Sequence, residues 1–318
     1  MKRKFVIIML LWIGFVNAKA QTDSLGIPFF QVPEKPIPAR IWGVSGGIVV
    51  GYSAMLVGLN ELWYKNYPRS NFHWYNDFGE WEHIDKIGHL WTSYSEGLYM
   101  MEVYRWTGLA DKKAIWIGGT MGSLFQTTIE ILDGFSAKWG ASPSDLLANS
   151  LGSALVVSQA LAWNEQKFQF KFSSHQVNYN AFDASVQQRV NDLYGTSFMQ
   201  LLLKDYNGQT YWLSFNPFYV ANKHTRVPHF LQLSLGYGAE NMLGGYENIW
   251  EADGVSFNRN DIPRLHQYYL SLDVDLRKIK TRSRALKIIL GAFNIIKIPA
   301  PTLEINSAGK VKGHWLYF

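Results

Sequence analysis

The sequence predicts an α+β protein, with a small-residue-rich bundle of about four helices followed by a β-rich antiparallel region that carries an inserted amphipathic helix. Three observations predict it. Apolar residues recur at helical spacing up to about residue 165 and alternate in short runs beyond it. Ser142-Pro143-Ser144-Asp145 is a strong helix start, with Ser as cap, Pro at the first helical position and Asp at the third. Charge also divides the chain: residues 21–165 hold nine Lys/Arg against fourteen Asp/Glu, and residues 166–318 hold seventeen against eleven. These shifts divide the sequence into segments 1–20, 21–39, 40–165 and 166–318.

Met1-Lys2-Arg3-Lys4, the apolar run Phe5–Val16 and Ala18-Lys19-Ala20 read as a cleavable secretory signal peptide over residues 1–20. Removing Lys2, Arg3, Lys4 and Lys19 lowers the formal net charge from +5 to +1. Residues 21–39 carry Pro28, Pro33, Pro36 and Pro38 and read as an extended lead-in. Arg40–Tyr64 is apolar and dotted with Gly43, Gly46, Gly47, Gly51 and Gly58. Such a helix is either packed closely in a bundle or inserted in a membrane. An aromatic loop over residues 65–83 precedes helices expected over Ile84–Thr107, Lys113–Leu132 and Pro143–Trp163.

Beyond Glu165 the pattern becomes two-residue alternation. Strands are expected at Phe168–Phe172, Tyr211–Phe215, Phe230–Tyr237 and Gln267–Leu276, with a short helix near Ser185–Lys204 and an amphipathic one over Thr281–Ile296. The final strand, closing on Phe318, resembles the terminal strand of bacterial outer-membrane barrels. About six candidate strands fall short of the roughly eight that a closed barrel needs. The amphipathic helix has Leu286, Ile289, Leu290 and Phe293 on one face and a basic rim. It suits either an anionic membrane surface or packing on a sheet.

The composition excludes some chemistry. With no cysteine, thiol catalysis and thiolate metal sites are absent. No Walker loop, dinucleotide glycine fingerprint, zincin motif or nucleophile elbow is present. The expected location is the outer membrane, facing the periplasm, with soluble periplasm or inner membrane as alternatives. The expected partner is a membrane or anionic envelope surface, or an envelope protein, and nucleic acid is not expected.

Three helices carry a polar stripe. Asp85, His89, Thr92 and Glu96 share a face of the second; Ser123, Gln126, Glu130 and Asp133 share one of the third; Asp145, Asn149 and Gly152 share one of the fourth. The third helix has no other charge between Lys113 and Glu130. Sparse ionisable groups on apolar helices turn inward, and carboxylates and His supplied by several helices build metal or acid–base sites. Asp85, His89 and Glu130 are the candidate catalytic residues. Asp85, His89, Glu130 and Asp133 are candidate ligands for a divalent metal. Lys86, Asp133, Asp145 and Asn149 complete the polar centre. Each has a structural alternative: Asp145 as a helix-start residue, Asp133 as an end-of-helix turn, Lys86 as a neutraliser and His89 as a hydrogen-bonded core histidine.

Asp85-Lys86-x-x-His89, Glu130-x-x-Asp133-Gly134 and Ser144-Asp145-x-x-x-Asn149-x-x-Gly152 resemble the YfiM-like family of predicted periplasmic envelope proteins, a domain of unknown function. The same order is similar to the VanZ-like membrane proteins, which are associated with glycopeptide resistance. The resemblance covers about residues 80–160 and implies that these are motif positions. The C-terminal half resembles, in composition, outer-membrane proteins of the Bacteroidota type. Two functions follow as expectations. One is an envelope protein whose polar centre has a structural or organising role. The other is a membrane-proximal, metal-dependent hydrolase or transferase acting on an envelope lipid or glycan headgroup.

Overall fold

A computed structural model describes residues 29–65, 67–221 and 226–318; the expected signal segment 1–20 lies outside them. Helix α1 spans Pro38–Leu59. Pro38 is its first residue, where a fixed φ and a missing N–H suit the helix, so residues 38 and 39 of the expected lead-in are helical, and its residues 21–28 lie outside the described residues. A π-helical turn, Asn60–Tyr64, follows. Helices α2 (Ile84–Trp106), α3 (Asp111–Gly134) and α4 (Pro143–Trp163) run down, up and down against one another. Their shared core is Tyr94, Leu98, Met101, Ile115, Val156, Val157 and Ala160.

Glycines let α2, α3 and α4 touch backbone to backbone. A Cβ on Gly118 would stand 2.3 Å from the Met101 nitrogen, and one on Gly122 would stand 1.9 Å from the Ser93 oxygen. The glycine-rich helix α1 is different. Among the described residues, nothing lies within 4 Å of a Cβ built on Gly43, Gly46, Gly47, Gly51 or Gly58. The close-packed alternative for α1 is therefore corrected: apart from Arg40 it is not buried. It is tethered where the Ile37 N–H donates to the Thr107 carbonyl, Arg40 donates to the Trp106 carbonyl, and Tyr52 stacks on Phe125.

The C-terminal half is an antiparallel sheet with inserted helices. Strand β1 (Phe168–Ser174) leads to α5 (Ala184–Tyr194) and α6 (Phe198–Lys204). The single helix expected here breaks at Gly195, whose φ of +79° is a left-handed conformation. Then come β2 (Gln209–Phe215), a single turn α7 (Pro217–Val220), β3 (Leu231–Glu240), β4 (Ile249–Ala252) and β5 (Val255–Asn258). Strand β6 (Leu265–Val274), α8 (Arg284–Phe293), β7 (Ala300–Asn306) and β8 (Val311–Tyr317) complete the chain. Six strands form one sheet in the order β1-β2-β3-β6-β7-β8, and β4–β5 is a separate hairpin. Residues 295–297 hydrogen-bond along the outer edge of β1, and among the described residues β8 pairs only with β7, so no barrel is closed.

The sheet is polar inside and apolar outside. Register aligns Lys171, Trp212, Gly236, Tyr269 and Glu304 across five strands, all buried. Lys171 pairs with Asp273 across the interior at 2.7 Å, with neither side chain exposed. The adjacent row, Phe170, Leu213, Leu235, Leu270 and Leu303, lies on the other face. At β1 and β2 this face meets α2, where Trp91 packs on Phe172 and Tyr211, and Tyr94 packs on Phe170. Further along it is open: Leu235, Leu270, Leu272, Leu303 and Ile305 are all exposed. A water-soluble sheet has the opposite arrangement.

Candidate functional site

The polar stripes of α2, α3 and α4 meet at one end of the bundle. The helix starts bring them there. Ser142 caps α4 by accepting from the Asp145 N–H at 3.1 Å, and its own N–H donates to Glu130 Oε2 at 3.0 Å. The cap therefore ties the start of α4 to the end of α3. Trp81, Glu82 and His83, just before α2, all have left-handed φ of 50–64°. Such backbone costs non-glycine residues about 1–2 kcal/mol each. The C-terminal half holds this turn in place: Glu82 pairs with Arg264 at 2.7 Å and with His266 at 3.3 Å, and the Tyr237 hydroxyl donates to the Glu82 carbonyl.

Lys86 is at the centre. Its Nζ lies 2.7 Å from Asp77 Oδ2, 2.9 Å from Asp85 Oδ2 and 2.9 Å from Asp145 Oδ1. It also donates to Asp145 Oδ2. Burial opposes its charge, but the Asp85 and Asp145 carboxylates outweigh burial and hold its pKa well above the usual lysine value. Beside it, His89 Nε2 lies 3.7 Å from Glu130 Oε1, 3.9 Å from Asp145 Oδ2 and 4.0 Å from Asp85 Oδ1. His89 Nδ1 shares a 3.1 Å hydrogen bond with Asn149 Oδ1. An amide oxygen only accepts, so in this geometry Nδ1 is the donor and Nε2 is the nitrogen that faces the carboxylates.

Carboxyl groups outnumber cationic side chains in this centre. Burial pushes Glu130 up to about 8, against the pull of His89. Burial likewise takes Asp145 up to about 7, with His89 opposing and Asp85 adding to the rise. Asp85 is held below the usual carboxylate range, because His89 and Lys86 outweigh its burial. The three carboxylates around His89 raise its pKa despite its burial. Asp85 and His89 are partly exposed, while Glu130 and Asp145 are almost fully enclosed, so the centre opens on the Asp85–His89 side.

Asp85, Lys86, His89, Glu130, Asp145 and Asn149 thus come together. Asp133 stands apart from the His89 nitrogen and accepts from the Tyr64 hydroxyl at 2.8 Å; burial raises its pKa to about 6, against that hydrogen bond. Of the two readings of Asp145, the structure shows its backbone in the cap and its side chain in the centre. Sequence reasoning missed Asp77 and Tyr206. Asp77 comes from the aromatic loop and accepts from Ser142, Ser144 and Lys86. Tyr206 sits in a 3-10 turn of the other half, and its hydroxyl donates to Asp85 Oδ1 at 2.7 Å.

Glu96, two turns below His89, accepts from Gln126 Nε2 at 3.0 Å, and burial raises its pKa to about 7. A carboxyl raised in the folded state favours the protonated form there, so its ionisation erodes stability as pH climbs from its unfolded value to about 7. Glu96→Gln keeps the hydrogen bond without the charge. It is expected to stabilise the protein by roughly 2 kcal/mol at pH 8 and by far less at pH 5. Thermal melts at the two pH values check this; an equal shift at both would count against it.

A protein-family model described as a predicted periplasmic lipoprotein, DUF2279, matches residues 73–160. That stretch holds every member of the centre except Tyr206. The match is to an uncharacterised family and supports an exported envelope protein of unknown activity. None of the 318 residues is the cysteine that lipid attachment requires. No curated protein and no solved structure matches the chain.

Proposed function

We propose that this is an outer-membrane-associated envelope protein, seated in lipid by its sheet, whose helical bundle holds the Lys86–His89–carboxylate centre in a structural or envelope-organising role. One observation carries the location: the six-stranded sheet buries Lys171, Ser214, Gln267, Asp273 and Glu304 and turns Leu235, Leu270, Leu272, Leu303 and Ile305 outward. That inversion is the arrangement of a sheet whose outside solvent is hydrocarbon. Helix α1 adds an exposed run, Ile41–Asn60, without one charged residue. The bilayer or its anionic surface is the partner on this reading. The test is co-flotation of the full chain with lipid vesicles. A Leu235→Lys/Leu270→Lys variant places charge on two paired positions of the open face. Each Lys costs up to about 2–4 kcal/mol in mid-bilayer. The variant is expected to lose at least tenfold in lipid-bound fraction while keeping its circular dichroism in detergent. Unchanged flotation would defeat the proposal.

A second reading, a metal-dependent hydrolase or transferase acting on an envelope headgroup, is favoured by a specific observation. The His89 nitrogen has one carboxylate from each of three helices within 4.0 Å, and the His89 and Asp85 side chains are partly exposed. This reading requires a bound cation and fails if the purified chain holds none.

A further inference from the structure

One carboxylate oxygen from each of three helices stands near the His89 Nε2 nitrogen. His89 Nε2 stands 3.7–4.0 Å from Glu130 Oε1, Asp145 Oδ2 and Asp85 Oδ1, too far for a hydrogen bond to any of them. Ligands about 2.1 Å from a shared ion stand roughly 3–3.5 Å apart, so the imidazole nitrogen is within about an ångström of that spacing from each carboxylate. One donor each from Asp85, His89 and Asp145 already lies within 4.8 Å of the others.

The surroundings are built for the same end. Each side chain is held by a neighbouring group: Asn149 on His89 Nδ1, Ser142 N–H on Glu130 Oε2, Tyr206 on Asp85, and Lys86 on both Asp85 and Asp145. Outer partners of this kind set the tautomer and direction of metal ligands. Two buried atoms of this centre have no hydrogen bond among the described residues. Asp145 Oδ1 lies beside the Lys86 ammonium without a well-directed hydrogen, and the Nδ2 of the fully buried Asn149 is unmatched. A buried amide that leaves its donor unmatched while its acceptor holds His89 gives up stability for the orientation of that ring.

We infer that Asp85, His89 and Asp145 form a site for one divalent cation of the zinc or manganese class, with Glu130 beside His89 at its edge, Asn149 as its positioning residue and Asp133 outside it. Carboxylates and a neutral imidazole suit such an ion. The inference deepens the hydrolase reading but does not depend on turnover: a bound ion without activity would leave the site standing and remove that reading.

The test uses the full chain purified in detergent, stripped with chelator, loaded with Zn²⁺ or Mn²⁺ and desalted. About one ion per chain is expected, with a rise in Tm that chelator reverses. Asp145→Asn and His89→Ala are expected to lose at least tenfold in affinity, while Asp133→Asn binds as the parent does. Should the first two fail to fold, Co²⁺ in the parent protein decides. An intense, low-symmetry d–d absorption supports the site, and a spectrum like that of the hydrated ion overturns it. No retained ion with either metal, or loss of binding in Asp133→Asn with retention in Asp145→Asn, also overturns it.

Discussion

Lys86→Met is expected to destabilise the protein by about 3–5 kcal/mol, the usual result of removing one partner from a buried ionic network. The Lys86 side chain is 9% exposed and its nitrogen touches carboxylates from the aromatic loop, α2 and α4. Methionine keeps the length and apolar stem, so the loss isolates the charge. Without it, Asp77, Asp85 and Asp145 repel one another in a site with little water to screen them. Asp77 bears most on the loop: Lys86, Ser142 and Ser144 together outweigh its burial and keep it ionised. Adding Asp77→Asn to Lys86→Met removes one of the stranded charges and is expected to restore part of the lost stability, since groups in one network do not act additively. Urea unfolding at pH 7 measures both. A Lys86→Met protein within about 1 kcal/mol of the parent would show that the ammonium is not what holds the three segments together.

How far the sequence exposes this centre depends on how its parts are carried. Asp85, His89, Glu130, Asp145 and Asn149 sit at helical spacing on helices with little other charge, so their common direction is visible in one dimension. Asp133 has the same spacing, but it lies at the end of α3, where Tyr64 takes it. Spacing cannot register that competition. Asp77 and Tyr206 belong to a loop and a 3-10 turn, and Tyr206 is 121 residues from its partner Asp85. No periodicity marks either. In the sheet, alternation was visible but the direction of burial was not, because a pattern of period two reads the same whether water lies inside or outside. The β4–β5 hairpin does carry a local signal: Asp253-Gly254, both at positive φ, is a two-residue turn between its strands.

The glycines misled most, and they set up the other large expected effect. Small residues in α1 looked like a packing face, yet those of α2, α3 and α4 do the close packing. Gly122→Ala is expected to cost about 3 kcal/mol or more, at or beyond the upper range for overpacking. Its methyl would stand 1.9 Å from the Ser93 carbonyl oxygen and 2.7 Å from the carbon, and backbone cannot step aside as a side chain can. Ser93 is itself fixed, its hydroxyl donating to the Asn149 carbonyl at 2.6 Å and lying 3.2 Å from Ser153 Oγ. To admit the methyl, α3 must move off α2 one turn below His89, and Glu130 moves with it. Gly122→Ala is therefore expected to weaken the centre as well as the fold, without touching any residue of the centre. Gly43→Ala is the matched control. It meets open space in a helix and is expected to be neutral or to gain up to about 1 kcal/mol from helix propensity. Denaturant unfolding of the two variants separates the cases: similar values would mean that α2 and α3 can part at no cost, and that the distance between His89 and Glu130 is not set by their packing.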